Sequence, residues 1–136
     1  MGELHKYTWA GMQRRAYELA KARGMWPEGE PAALQTAAKL ALIHSAVAKA
    51  TEAARQCNPR FYNLGTADWF EPEDDCPADE RLPEFTAFEI ALADVVIHIM
   101  DLAEARSCRL RDAVIAKMAF DESRSIHNGG GGGEEF

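Results

Sequence analysis

The stretch AFEIALADVVIHIMD, residues 87–101, decides the fold. Phe88, Leu92, Val95, Val96, Ile99 and Met100 make it apolar enough for a core helix, yet its few charges are oddly placed. Asp94 sits in the middle, with Ala91 at i−3, His98 at i+4 and Asp101 at i+7. On a helix these four residues share one face. A carboxylate inside a buried helix is costly unless something pairs with it. What Asp94 faces therefore decides how this helix is buried.

The chain has 136 residues, which suits one domain, and its 47% hydrophobic content is ordinary for a globular protein. Heavy use of Ala favours closely packed helices. The net charge is −7 and no basic stripe is present, so no nucleic-acid partner is expected. Cys57, Cys76 and Cys108 are odd in number and lack CxxC spacing. This predicts reduced thiols rather than a disulfide framework. No apolar run follows Lys6 and no stretch of about 18 apolar residues exists. A cytoplasmic protein without a signal peptide or a membrane partner is the resulting expectation.

Residues 1–7 read as a loose lead-in. Trp9, Met12, Ala16, Leu19 and Ala20 recur at helical spacing, which predicts a first helix over 8–23, stopped by Gly24. Trp26 and Pro27 make a turn, and a loop with Gly29 and Pro31 follows. A long second helix is predicted over 33–56, poor in charge between Leu40 and Ala48. Residues 58–82 read as a long irregular segment with an acidic run at 71–75. Phe61, Tyr62, Trp69 and Phe70 predict that part of it packs on the body. A third helix is predicted over 84–106 and a fourth over 110–123. Five consecutive glycines make 128–136 a flexible, linker-like or tag-like tail behind a single helical domain at 1–127. With no strand pattern of any strength, the fold class is all-α, a four-helix bundle.

Four pieces carry a family resemblance: AYELAKARGMW at 16–26, LALIHSAVAKATEAAR at 40–55, FEIALADVVIHIMDLA at 88–103 and AVIAKMAFDESR at 113–124. In order and spacing they resemble the MazG-like all-α nucleoside triphosphate pyrophosphohydrolases. That resemblance implies an oligomeric MazG-like four-helix bundle and Mg²⁺-dependent cleavage of an NTP or dNTP to a monophosphate and pyrophosphate. In the family, an ExxE pair on the second helix and an ExxD pair on the third supply oxygen ligands to the metal. Hard cations require such ligands.

This chain departs from that pattern at the metal. The ExxE positions fall on Ala46 and Lys49, and the ExxD positions on Ala91 and Asp94. One expected carboxylate of four remains, and a cation replaces another. Two outcomes stay open. One is a metal site rebuilt from Asp94 with Glu52, His98 or Asp101, although Glu52 is displaced along the helix axis and Glu89 points away from position 91. Alternatively, Lys49 pairs with Asp94 in place of the metal. Lys49 between alanines also invites amine chemistry if its cavity is apolar.

Other candidates follow from the same resemblance. Lys117 and Arg124 stay where the family has phosphate-holding cations, while Asp121 replaces the usual Asn. Trp26 is placed to stack on a nucleobase or to pack at a helix end. His44 reads as a nucleotide contact, or as a core or interface histidine. The candidate catalytic group is thus Asp94, Lys49, Lys117 and Asp121, and the nucleotide-binding group Trp26, His44, Lys117 and Arg124. Expected partners are a nucleoside triphosphate or another small molecule, and further copies of the chain in a homodimer or homotetramer, because the apolar central helices need covering. The function implied is the family's pyrophosphohydrolase activity with a degenerate metal site that impairs or abolishes it. The alternative is an inactive or repurposed nucleotide-binding or oligomeric scaffold.

Overall fold

The computed structural model describes residues 2–57 and 76–128. They form α1 (Gly2–His5), α2 (Trp9–Ala22), α3 (Ala32–Cys57), α4 (Ala87–Ala105) and α5 (Leu110–Asn128). The four longer helices are those expected, and α1 adds a single turn where a loose lead-in was predicted. Among the described residues there is no strand, only an isolated antiparallel bridge between Ala78 and Thr86. Within the segment expected to be irregular, residues 58–75 lie outside the described residues, as do 129–136 of the tail. The expected packing of Phe61, Tyr62, Trp69 and Phe70 and the acidic run at 71–75 therefore fall there too.

Local chemistry sets the helix ends. Thr8 caps α2 by accepting from the Gly11 N–H, and Gly24 follows the helix with φ +74°. That left-handed conformation is the reason a glycine stands there. Thr86 caps α4 through a capping box: its hydroxyl accepts from Glu89 N–H, and the Glu89 carboxylate accepts from Thr86 N–H. This box moves the start of α4 to Ala87, three residues beyond the predicted 84. Asp79 braces the turn ahead of it, its Oδ1 accepting from the Arg81 and Leu82 N–H groups at 2.9 Å each. At the other end α5 runs to 128, beyond the predicted 123.

Helix α4 is the centre of the molecule. It packs along α2 on one side and α3 on the other, whereas α5 has no comparable packing against any of them. Both neighbours run antiparallel to it. Gln13 bonds Glu104 near the start of α2, and Lys39 bonds Asp101 near the start of α3. The architecture is thus a three-helix layer with a projecting fourth long helix, less closed than a bundle with all faces covered.

The buried positions explain how closely these helices approach. On α3 they are Lys39, Ala46, Ala50, Ala54 and Cys57, a single stripe at helical spacing. On α2 they are Gly11, Gln13, Ala16 and Ala20. Small residues bring the backbones together, while Leu40, Val47, Leu92, Val96 and Ile97 lie exposed. The expectation of a core helix with Asp94 buried in it is therefore corrected. One flank remains open, and Asp94 is exposed rather than inside a core.

The cysteines also differ from expectation. Cys57 and Cys76 are joined by a disulfide, and Cys108 is free and exposed. The odd count and the lack of CxxC spacing say nothing about which thiols meet in space. The third cysteine is simply left over.

Gly11 gives this arrangement a sharp test. A Cβ added there would collide with the His5 carbonyl oxygen at the end of α1. Gly11→Ala should displace the 2–8 segment and cost about 1–3 kcal/mol by overpacking. The checks are the thermal midpoint and faster amide exchange confined to the first ten residues. An unchanged midpoint and unchanged exchange would show that α1 does not lie against α2.

Candidate functional site

Two concavities meet on α4. The first is a recess of about 60 Å³ between α3 and α4, lined by Ser45, Ala46, Lys49, Ala91, Asp94 and His98, with Leu42 at its side. The four positions singled out by the ExxE and ExxD register thus face one recess from two antiparallel helices. The second is a cleft of about 390 Å³ between α2, the 79–82 turn and α4. Asp94 and His98 line both, so they form the ridge between them.

The ion pair expected in the recess is not formed. Lys49 and Asp94 are both exposed, and no salt bridge joins them among the described residues. With Ala46 and Ala91 leaving space and one side open to water, neither charge needs the other for its solvation. The amine chemistry expected of a lysine in an apolar cavity requires burial, which Lys49 lacks.

The buried pair lies two to three turns away. Lys39 Nζ donates to Asp101 Oδ2 at 2.8 Å, with the two side chains 5% and 2% exposed. Trp26 Nε1 donates to the other oxygen, Asp101 Oδ1, at 2.8 Å. The Lys39 ammonium also stands 4.4 Å from the Trp26 ring centroid, a cation–π contact in a desolvated place. Tyr17 meets the same ring edge-on at 5.8 Å, and the Arg106 guanidinium lies 5.6 Å from it. Arg106 in turn donates to the Thr36 hydroxyl and the Ala32 carbonyl at 2.8 Å each, tying the end of α4 to the start of α3.

Asp101 is therefore withdrawn from the metal-ligand candidates, since both its oxygens are engaged by protein donors. Trp26 is likewise committed to the core, with its N–H and one face used, and packing at a helix end is the role it fills. Sequence reading passed over Lys39 and Arg106. The signal for Lys39 was present: it is the only Lys, Arg, Asp or Glu between Glu30 and Lys49.

The remaining candidates scatter. Glu52 is paired with Arg55 at 2.8 Å on the exposed side of α3. His44 is exposed. Lys117 and Asp121 form an i,i+4 ion pair on α5, and Lys117 and Arg124 each lie 5.7 Å from the Phe120 ring. These contacts are local to α5, which does not pack on the recess as α2 and α3 pack on α4. Among the described residues no group of three or more His, Cys, Asp or Glu side chains is placed to hold a metal ion. No helix among them is long and apolar enough to cross a membrane.

No protein-family model, curated protein or solved structure matches the chain.

The buried cluster predicts a large asymmetry. Lys39→Ala leaves Asp101 buried with only the indole donor and should cost about 3–5 kcal/mol in urea unfolding. Lys39→Met combined with Asp101→Leu removes both charges and should cost markedly less than the two single changes summed. Additive costs would mean that the two charges do not interact.

Proposed function

We propose that this protein is a MazG-like member of the nucleoside triphosphate pyrophosphohydrolases whose metal site has degenerated, so that hydrolysis of NTP or dNTP to monophosphate and pyrophosphate is impaired or lost. The observation that carries this reading is the convergence of Ala46, Lys49, Ala91 and Asp94 on one recess. The convergence supports the reading because it makes the two pairs neighbours across one gap, as the resemblance requires. The recess does not suit the Mg²⁺ that the resemblance implies. It offers one carboxylate and the Ser45 hydroxyl as oxygen donors, with a lysine ammonium among them. A hydrated divalent cation needs more oxygen ligands and less positive charge. What the recess retains is a cation and a hydrogen-bonding histidine beside an acid. That set lacks the means of metal-assisted turnover, and at about 60 Å³ the recess takes only a few atoms of a nucleotide.

The protein is further proposed to act as a homo-oligomer. Its core is built from alanines, while large apolar side chains point outward: Val96 and Leu92 on α4, and Ile115 and Met118 on α5. Exposed apolar surface on this scale supports a partner, and a second copy presents the same surfaces.

The decisive measurement is pyrophosphate release from a panel of dNTPs with Mg²⁺ or Mn²⁺. No release above background is expected from the unmodified chain, and robust metal-dependent turnover would overturn the degenerate-site reading. The variant A46E/K49E/A91E should bind Mn²⁺ by calorimetry where the parent does not. A folded triple variant with no metal affinity would sink the assigned register. Light scattering after size exclusion should give a dimer or tetramer, and Val96→Lys with Ile115→Lys should shift it toward monomer. A parent protein that is monomeric at micromolar concentration would remove the oligomer from this proposal.

A further inference from the structure

The stretch from Cys76 to Thr86 forms a strap between elements. Its first residue is joined by the disulfide to Cys57, the last residue of α3. Its middle, Asp79, Arg81 and Leu82, walls the cleft on the α2 side of α4. Its last residue, Thr86, caps α4. The strap therefore passes from α3, by way of the cleft, to the start of α4. Its hydrogen bonds are local. Asp79 N–H donates to the Phe85 carbonyl at 2.9 Å, Phe85 N–H to that of Leu82 at 3.0 Å, and Ala87 N–H to that of Pro77 at 2.8 Å. With the Asp79 turn and the Thr86 cap, these bonds join the strap to itself and to the first turn of α4. Among the described residues none of its hydrogen bonds reaches α2 or α3.

Little apolar burial holds the strap in place. Leu82 and Phe85 are each 46% exposed, and Pro77, Ala78 and residues 80–84 lie exposed as well. A segment held by a few exposed hydrogen bonds and little buried surface opens at low free-energy cost. The disulfide offsets this by tying one end to α3. Cys57 is buried at the end of the α3 stripe, whereas Cys76 is half-buried. Lys39 belongs to the same stripe, about 27 Å away along the helix. The contact between α3 and α4 thus has a clamp near each end, the buried ion pair at one and the disulfide at the other. Breaking the second leaves the first intact.

We propose that Cys57–Cys76 is a reversible thiol–disulfide site whose redox state decides whether residues 76–86 stand as a fixed wall of the cleft. A dithiol is the co-reactant. One of its thiolates attacks Cys76 Sγ, the more accessible sulfur, and the S–S bond breaks with its electron pair going to Cys57 Sγ. The second thiolate of the dithiol then attacks its own half of the mixed disulfide and releases Cys76. The two protons of the dithiol end on Cys57 and Cys76, which are reduced, and the dithiol leaves oxidised as a cyclic disulfide. The reverse exchange, with a disulfide as oxidant, re-forms the clamp. Cys108 takes no part within one chain, because the 19 residues of α4, about 28 Å of helix, separate it from the strap. Once released, the strap keeps its own turns and its join to α4 but loses its hold on α3. The inference does not rest on the nucleotide reading.

The experiment takes the full chain, with dithiothreitol as the dithiol, and reads amide hydrogen exchange by NMR. Thiol titration in guanidinium should find Cys108 alone before reduction and all three cysteines after it. The reduced protein should keep its helical circular dichroism. Exchange at Asp79, Arg81, Leu82 and Phe85 should then speed by about tenfold or more, while Met100–Ala105, beside the buried pair, should change by less than about twofold. Oxidised glutathione should restore slow exchange in the strap. Cys57→Ala combined with Cys76→Ala should match the reduced parent and no longer respond to dithiothreitol. Three titratable thiols before reduction, strap exchange unchanged after it, or acceleration spread evenly over all the helices would each overturn the proposal. The last result would make the bond a structural staple and nothing more.

Discussion

The Lys39–Asp101 pair is the constraint on which the helix layer depends. A lysine and an aspartate with so little exposure are unfavourable except together, because desolvating either charge alone costs several kcal/mol. The pair fixes the register of α3 against α4 near one end of their contact. Trp26 makes the arrangement three-sided, since it comes from the connection between α2 and α3 and donates to the same carboxylate. The Asp101 oxygens, the Lys39 ammonium and the indole N–H satisfy one another, and no buried side-chain polar atom among the described residues lacks a partner. A polar core satisfied in this way specifies one arrangement more sharply than the surrounding alanines, whose small, smooth surfaces tolerate sliding.

That register has consequences at the other end of the contact. With residue 39 set against 101 and 36 against 106, antiparallel packing carries 46 and 49 opposite 91 and 94. The recess is therefore a geometric result of the buried cluster. Its open side explains why the charges at 49 and 94 persist unpaired: water solvates them. The same opposite signs, placed at 39 and 101, pair because water is excluded there.

The helices were legible in the sequence because their signals are local. Periodic alanines and leucines and the Gly24 stop place the ends of α2 and α3 within a residue or so. The start of α4 was misplaced because its capping box outweighs the weaker hint from Pro83. The pairing of charges was not legible. The sequence puts a carboxylate in the apolar stretch 87–101 and cations on the second helix, but does not show which of them meet. The expectation matched Asp94 with Lys49, whereas burial falls on Asp101 and Lys39, seven and ten residues away. Asp94 and Asp101 lie on the same face of α4, where periodicity alone does not distinguish one turn from another, but Lys39 and Lys49 stand about 80° apart on α3 and only Lys39 falls in its buried stripe. What distinguishes them is Trp26, which arrives from outside both helices and seals only one end. The Cys57–Cys76 disulfide escaped for a similar reason, since it depends on where a distant segment returns.

Asp94 owes its chemical character to this division of burial. Had it been the paired residue, its charge would be spent on structure, as that of Asp101 is. Instead it stands with His98 on the ridge between two concavities, the carboxylate common to both that no cation among the described residues pairs with. On one side it faces Lys49 across a recess too small for more than a few atoms. On the other it shares a cleft with Arg23, Arg81 and the apolar Leu19, Ile90 and Ile97. Its charge is open to both concavities because burial is completed elsewhere, at Asp101.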